Sequence, residues 1–284
     1  MNNTVRDLKF KIFQSGNPLF LYIGLNVIIF LVTSIIAVIL FLGKTDFSMS
    51  DWVRNYFGVP ARIESLPTRF YTVITYMFFH EGFLHLLFNM LGLFWFGNIF
   101  MNFLKSRQFH FVYLTGGLVG ALIYIAGLNL IPVFNGGLIG QTVIGSSAAV
   151  MAIIVATATL VPNYSIVLLL FGEVKIKWVA IAYFLISFLG LSSANAGGNL
   201  AHIGGALLGF IFIKSLQRGN DWSGIFERKP KLKVVRNEQP APKKPVFNSV
   251  SQQEIDAILD KISSSGYDKL SATEKEKLFK ASKD

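Results

Sequence analysis

Polar side chains stand inside three of the most apolar stretches of this 284-residue chain. One stretch opens with Gly145-Ser146-Ser147-Ala148, a second carries His85 and Asn89, and a third begins Ala201-His202-Ile203-Gly204-Gly205. Polar groups are costly in hydrocarbon, so each needs a partner or a task. A serine hydroxyl, a histidine base and two further side-chain donors suit one task together, nucleophilic attack on a carbonyl with stabilisation of the oxyanion that forms. The residues leave Ser146 and Ser147 equally eligible as nucleophile.

Each group also has a plain structural reading. His202, Gly205 and Gly209 fall on one helix face, and Ala148, Ala152 and Ala156 recur every four residues on another, so small-residue packing alone could explain both. His85 and Asn89, four apart and followed by Gly92, could be interhelical hydrogen-bonding groups. Tight contact between the two small-residue faces would bring His202 near Ser147. Other chemistries are disfavoured. The five apolar stretches after the first hold no Asp or Glu, which removes an aspartyl dyad. His80-Glu81-Gly82-Phe83-Leu84-His85 departs from the zincin pattern, since histidines five apart lie roughly 140° apart around a helix. Neither a metal nor a cofactor is implied. His110 has no evident partner and reads as interfacial.

The elements that must position these residues read as membrane helices. The chain is 52% hydrophobic and only 15% charged, outside the range of a soluble domain of this size. Apolar stretches at 17–43, 83–103, 109–131, 146–161, 177–193 and 199–216 predict six transmembrane helices in an all-α polytopic membrane protein. The first is too long for a signal-peptide core and reads as a retained helix. The net charge of +10 follows membrane topology rather than nucleic-acid binding. Arg6, Lys9 and Lys11 precede the first stretch, Lys105 and Arg107 separate the second and third, Lys175 and Lys177 the fourth and fifth, and Lys214 and Arg218 follow the sixth. Loops 132–144 and 194–198 carry no charge, which places both termini in the cytoplasm. Loop 44–82 mixes Trp52, Tyr56, Phe57, Phe70 and Tyr71 with balanced charges, a composition suited to the bilayer interface. With no cysteine, the chain has no thiol chemistry.

Composition changes after Leu216. Residues 1–216 read as the membrane domain, 217–250 as a basic, proline-containing linker able to meet anionic lipid, and 251–284 as a small cytoplasmic helical hairpin. Ser251 with Glu254 and Ser271 with Glu274 form capping boxes, and Gly266 stops the first of the two helices. The hairpin's partner is not legible.

The motifs together resemble the rhomboid family of intramembrane serine proteases, over residues 17–216 and excluding the tail. His80, His85 and Asn89-Met90 match its H-x-x-x-x-H-x-x-x-N pattern. Gly145-Ser146-Ser147-Ala148 matches G-x-S-x, and Ala201, His202, Gly205 and Gly209 match A-H-x-x-G-x-x-x-G. The resemblance implies a Ser147–His202 dyad without an acid, and an oxyanion hole of His85, Asn89 and the Ser147 backbone amide. It also implies a structural His80 anchoring loop 44–82, structural support from Gly145, Gly205 and Gly209, and single-pass or polytopic membrane-protein substrates in a bacterial plasma membrane. It makes Ser147 rather than Ser146 the nucleophile. Three positions depart: Ala148 where glycine is common, Met151 where an aromatic often stacks on the histidine, and Tyr71-Thr72 in place of a Trp-Arg pair. A Met151 sulfur–ring contact would replace the stacking. A non-catalytic rhomboid-like client-binding protein and a small transporter are the alternatives. The first would be signalled by loss of the serine or histidine, the second by solute flux without acylation.

Overall fold

The computed structural model describes residues 3–137, 141–168, 172–226 and 250–282. It separates into two units, residues 1–229 and 230–284. Six apolar helices build the first: α1 (Pro18–Leu42), α2 (Phe83–Phe103), α3 (Ser106–Leu130), α4 (Ser147–Leu160), α5 (Ile176–Leu189) and α6 (Ala196–Gln217). A short helix, Asn3–Lys9, precedes α1. Among the described residues, α1, α2, α3 and α6 are long and apolar enough to cross a membrane, while α4 and α5 are 14 residues each. Fourteen residues rise only ~21 Å, short of a ~30 Å hydrocarbon core.

Local chemistry sets the helix ends. Asn17 caps α1 by accepting from the Leu19 amide, and Pro18 occupies the first turn, where no N–H partner is needed. The turn from α2 to α3 is two residues, Leu104 and Lys105, closed by the Gln108 side chain accepting from the Lys105 amide at 2.8 Å.

α4 lies at the centre. Ten of its 14 residues are buried, so its apolar character runs all round rather than along a stripe. Glycines on both flanks let α3 and α6 approach it closely. A Cβ at Gly116 of α3 would strike the Ala152 side chain, and one at Gly120 would lie 2.6 Å from the Ala148 Cβ. On the other flank, a Cβ at Gly205 would strike the Ala148 carbonyl oxygen and lie 2.8 Å from its carbonyl carbon. One at Gly209 would strike the Ala152 carbonyl. Dispersion and close backbone approach therefore hold α4 where hydrophobic exclusion of water cannot act between helices.

α1 joins the bundle differently. Tyr22 stacks on Tyr113 of α3 with centroids 3.9 Å apart, and the buried Asn26 donates to the Tyr113 hydroxyl at 3.2 Å. The Tyr22 hydroxyl is 2.9 Å from His110 Nδ1. His110 thus has the partner that the sequence did not reveal.

Loop 44–82 folds into short pieces, chiefly the helix Met49–Phe57, which Ser48 caps. It is tied down at several points. Arg69 donates to the Arg54 and Gly58 carbonyls at 3.1 and 2.9 Å, and Asn129 of α3 donates to the Ala61 carbonyl at 2.7 Å. Two short antiparallel pairs, absent from the sequence reading, complete the unit. β1 (Val59–Pro60) pairs with β2 (Thr142–Val143), Val59 opposite Val143. β3 (Ser165–Leu168) pairs with β4 (Gly172–Lys175) between α4 and α5.

The second unit is a hairpin of α7 (Gln252–Ser265) and α8 (Ala272–Ala281), each starting with a capping box. Gly266 turns the chain at φ +82°, which favours glycine. Lys277 pairs with Glu254 at 2.7 Å and Lys261 with Glu274 at 2.9 Å across the helices, holding the Glu274 carboxyl down to about 2.

Candidate active site

Ser147 is the first residue of α4, and α4 begins inside the bundle. The leading amides of a helix lack intrahelical partners, and the helix dipole makes that end favourable for negative charge. The chain reaches this point through Gly145 at φ +133°, in a region that side-chain-bearing residues rarely adopt. The Gly145 amide donates to the Tyr76 carbonyl at 2.9 Å, and the Tyr76 hydroxyl donates to the Gly117 carbonyl at 2.6 Å. Loop 44–82 is therefore linked both to the segment before the serine and to α3.

The two serines part at this turn. Ser146 is fully buried, and its Oγ lies 3.1 Å from His80 Nε2. Ser147 instead lines a cleft of about 290 Å³ together with His85, Asn89 and His202. The remaining walls are Leu84, Phe88, Val150, Met151, Ile154, Tyr183 and Asn195. His202 reaches the cleft because α6 packs on α4 through Gly205, one turn along.

His85 lies directly against the serine turn. A Cβ added at Gly145 would sit 2.8 Å from His85 Cε1, 3.0 Å from its Nε2 and 3.6 Å from Ser147 Oγ. The imidazole edge and the hydroxyl thus converge on one point. Asn89, one turn further along α2, donates one amide hydrogen to the His85 carbonyl at 2.8 Å, and a primary amide has a second hydrogen to offer. The rings of His80 and His85 meet edge-on with centroids 5.1 Å apart. Burial, with His85 adding to it, pushes the His80 imidazole down to about 3, so His80 is neutral near pH 7.

Four of the candidate site residues singled out from the sequence line this cleft, and the other four lie in the elements that pack around it. Ser147, His202, His85 and Asn89 line it; Gly145 adjoins His85 and Ser147; Gly205 and Gly209 set α6 against α4; His80 holds Ser146. Met151 shares the cleft with His202. Among the described residues no cluster of three His, Cys, Asp or Glu suited to a metal occurs. The sequence reading missed Tyr183 and Asn195 in the walls and Ser187 of α5, whose Oγ is 3.1 Å from His202 Nδ1. None of the three belongs to a motif, and no spacing signals them.

A sequence model of the Rhomboid domain matches residues 67–218, and one of a family of unknown function, DUF6576, matches residues 248–284. Comparison with curated proteins gives no match. The first match covers more than half of the chain and takes in α2 to α6 with the whole cleft. Apolar helices of spanning length and this domain make the chain an integral membrane protein, and it belongs to the rhomboid family.

Proposed function

We propose that the chain is an intramembrane serine endopeptidase that cuts transmembrane segments of membrane proteins. Ser147 Oγ attacks the scissile carbonyl while His202 takes its proton. His85, Asn89 and the Ser147 amide donate to the oxyanion, and the N-terminal end of α4 adds its dipole. His202 then returns the proton to the leaving amine, and water hydrolyses the acyl-enzyme with His202 again as base. His80, Gly145, Gly205 and Gly209 hold these groups in place. The observation that carries this reading is the convergence of a serine, two histidines and an asparagine in one cleft at the head of a buried helix.

The same reading takes all six apolar helices as spanning, with α4 and α5 extended by their flanking segments. Both termini are cytoplasmic, loop 44–82 rests in the opposite interface, and the membrane is a bacterial plasma membrane. Substrates enter from the bilayer. Residues 1–216 carry the chemistry, 217–250 link, and the hairpin 251–284 is an accessory cytoplasmic module.

A fluorophosphonate probe on purified protein in detergent tests the chemistry. Wild type and Ser146→Ala are labelled and cleave a model transmembrane substrate; Ser147→Ala and His202→Ala do neither. Labelling and cleavage that persist in Ser147→Ala refute the mechanism, and an unlabelled wild type favours a client-binding rhomboid-like protein.

A further inference from the structure

α5 buries only three of its 14 residues. Its buried residues are Ile176, Ala180 and Ser187, while Ile181, Tyr183, Leu185, Ile186, Phe188 and Leu189 are exposed. Two of those three buried residues are apolar, as a bilayer helix requires. Ser187 is not: it is 2% exposed and points a hydroxyl into the interior, where an unpartnered polar group is costly. Its Oγ lies 3.1 Å from Nδ1 of His202.

A neutral imidazole carries its single proton on one ring nitrogen and a lone pair on the other, and the hydrogen bond at one nitrogen sets the role of the other. His202 faces the cleft that holds Ser147. To take the serine proton it needs its lone pair on Nε2, so the proton must reside on Nδ1. The family pattern supplies no carboxylate for that nitrogen, and the apolar stretches around it contain none.

We propose that Ser187 is a positioning residue for His202. Its Oγ accepts the Nδ1 proton, selects the tautomer whose Nε2 is free, and fixes the ring plane toward Ser147. The inference rests on the Ser147–His202 reading above. A hydroxyl stabilises the developing imidazolium less than a carboxylate would, so its share is modest, about the tenfold in rate that one neutral hydrogen bond supports.

The test compares wild type, Ser187→Ala and Ser187→Thr in the same detergent. Ser187→Ala should lower kcat about tenfold with KM essentially unchanged, and Ser187→Thr, which keeps the hydroxyl, should recover most of it. Nitrogen-15 histidine NMR reads the tautomer directly; the chain has four histidines, and His202→Asn assigns the signal. Wild type and Ser187→Thr should show protonated Nδ1, and Ser187→Ala a population shifted to protonated Nε2. The inference stands only if the kcat loss, the threonine rescue and the tautomer shift occur together; absence of any one overturns it. Probe labelling separates this from the reading beneath it. Labelling that depends on Ser147, with Ser187→Ala matching wild type, removes only Ser187. Labelling that survives Ser147→Ala removes the dyad and Ser187 with it.

Discussion

Gly145 shows how little room the candidate site has. Alanine there meets two obstacles: a positive φ that disfavours any Cβ, and the His85 ring 2.8 Å from where that Cβ would stand. Strain of about 1–3 kcal/mol is expected, and the His85 edge must shift away from Ser147. Since small displacements in such constellations cost on the order of a hundredfold in rate, Gly145→Ala should lower the probe-labelling rate by about that factor. An unchanged rate would show that the turn does not set the His85 position. His80 supports a second expectation. Its imidazole is held below its ordinary value, so the fold favours the neutral form. Stability from this group is complete above its unperturbed pKa of ~6.5 and is lost as pH falls toward the depressed value. The Tm should therefore drop on acidification from pH 7 to pH 4, and less steeply in His80→Asn. Equal slopes would remove His80 as a source of the acid sensitivity.

Between elements, the α4–α6 contact is the most demanding. The obstacle at Gly205 is the Ala148 backbone carbonyl, which no side-chain rotation can clear. Even Gly205→Ala should force the helices apart, at about 1–3 kcal/mol, and Gly205→Leu should do so more severely. Both should lose probe labelling although no reacting group changes. A Gly205→Ala protein that melts and labels like wild type would mean that the two helices separate without consequence for the cleft. The matching approach of α3 at Gly116 and Gly120 means that α4 is held from two sides. Substitution on one side alone should therefore loosen the serine turn without unfolding the bundle.

Across the molecule, the first unit continues beyond the end of α6. Asp221 accepts from Arg107 at 2.8 Å and from Gln108 at 3.0 Å at the start of α3, and Ser223 donates to its other oxygen at 2.5 Å. Burial opposes the charge, yet Ser223 and Arg107 outweigh it and hold the carboxyl below its ordinary value. Trp222 packs near Phe111 and Phe212, with centroids 6.5 and 6.4 Å away. A chain ended after Phe226 should therefore insert, melt and label like the full-length protein. One ended after Arg218 should melt a few degrees lower, because it loses the Asp221 bonds to Arg107 and Gln108 and the packing of Trp222. Loss of labelling in the chain ended after Phe226, with the protein still folded, would make the tail part of the catalytic machinery. Under the proposed protease reading, the tail would bear on which partners are cut in cells, because a tethered module raises local concentration.

Hydropathy and local patterning were enough to locate the apolar helices and both capping boxes of the hairpin. α2 begins and ends at the residues read from its apolar run, 83 and 103, because the solvent change at a membrane boundary is abrupt and is written in composition. The motif residues were legible for a related reason: a serine, histidine or asparagine stands out against hydrocarbon. Their convergence was legible in part: the small-residue faces of α4 and α6 pointed to the approach at Gly205, whereas the approach of α3 at Gly120 and the φ of Gly145 follow no sequence pattern. The difference between Ser146 and Ser147 was also absent from the residues themselves; it is one of direction, decided when His80 engages the first hydroxyl and the helix start turns the second into the cleft. The β1–β2 pair, the Tyr22–His110 bond and the Ser187–His202 bond join residues far apart in the chain or on different helices. Such contacts follow no local periodicity, so only the packed tertiary structure determines them.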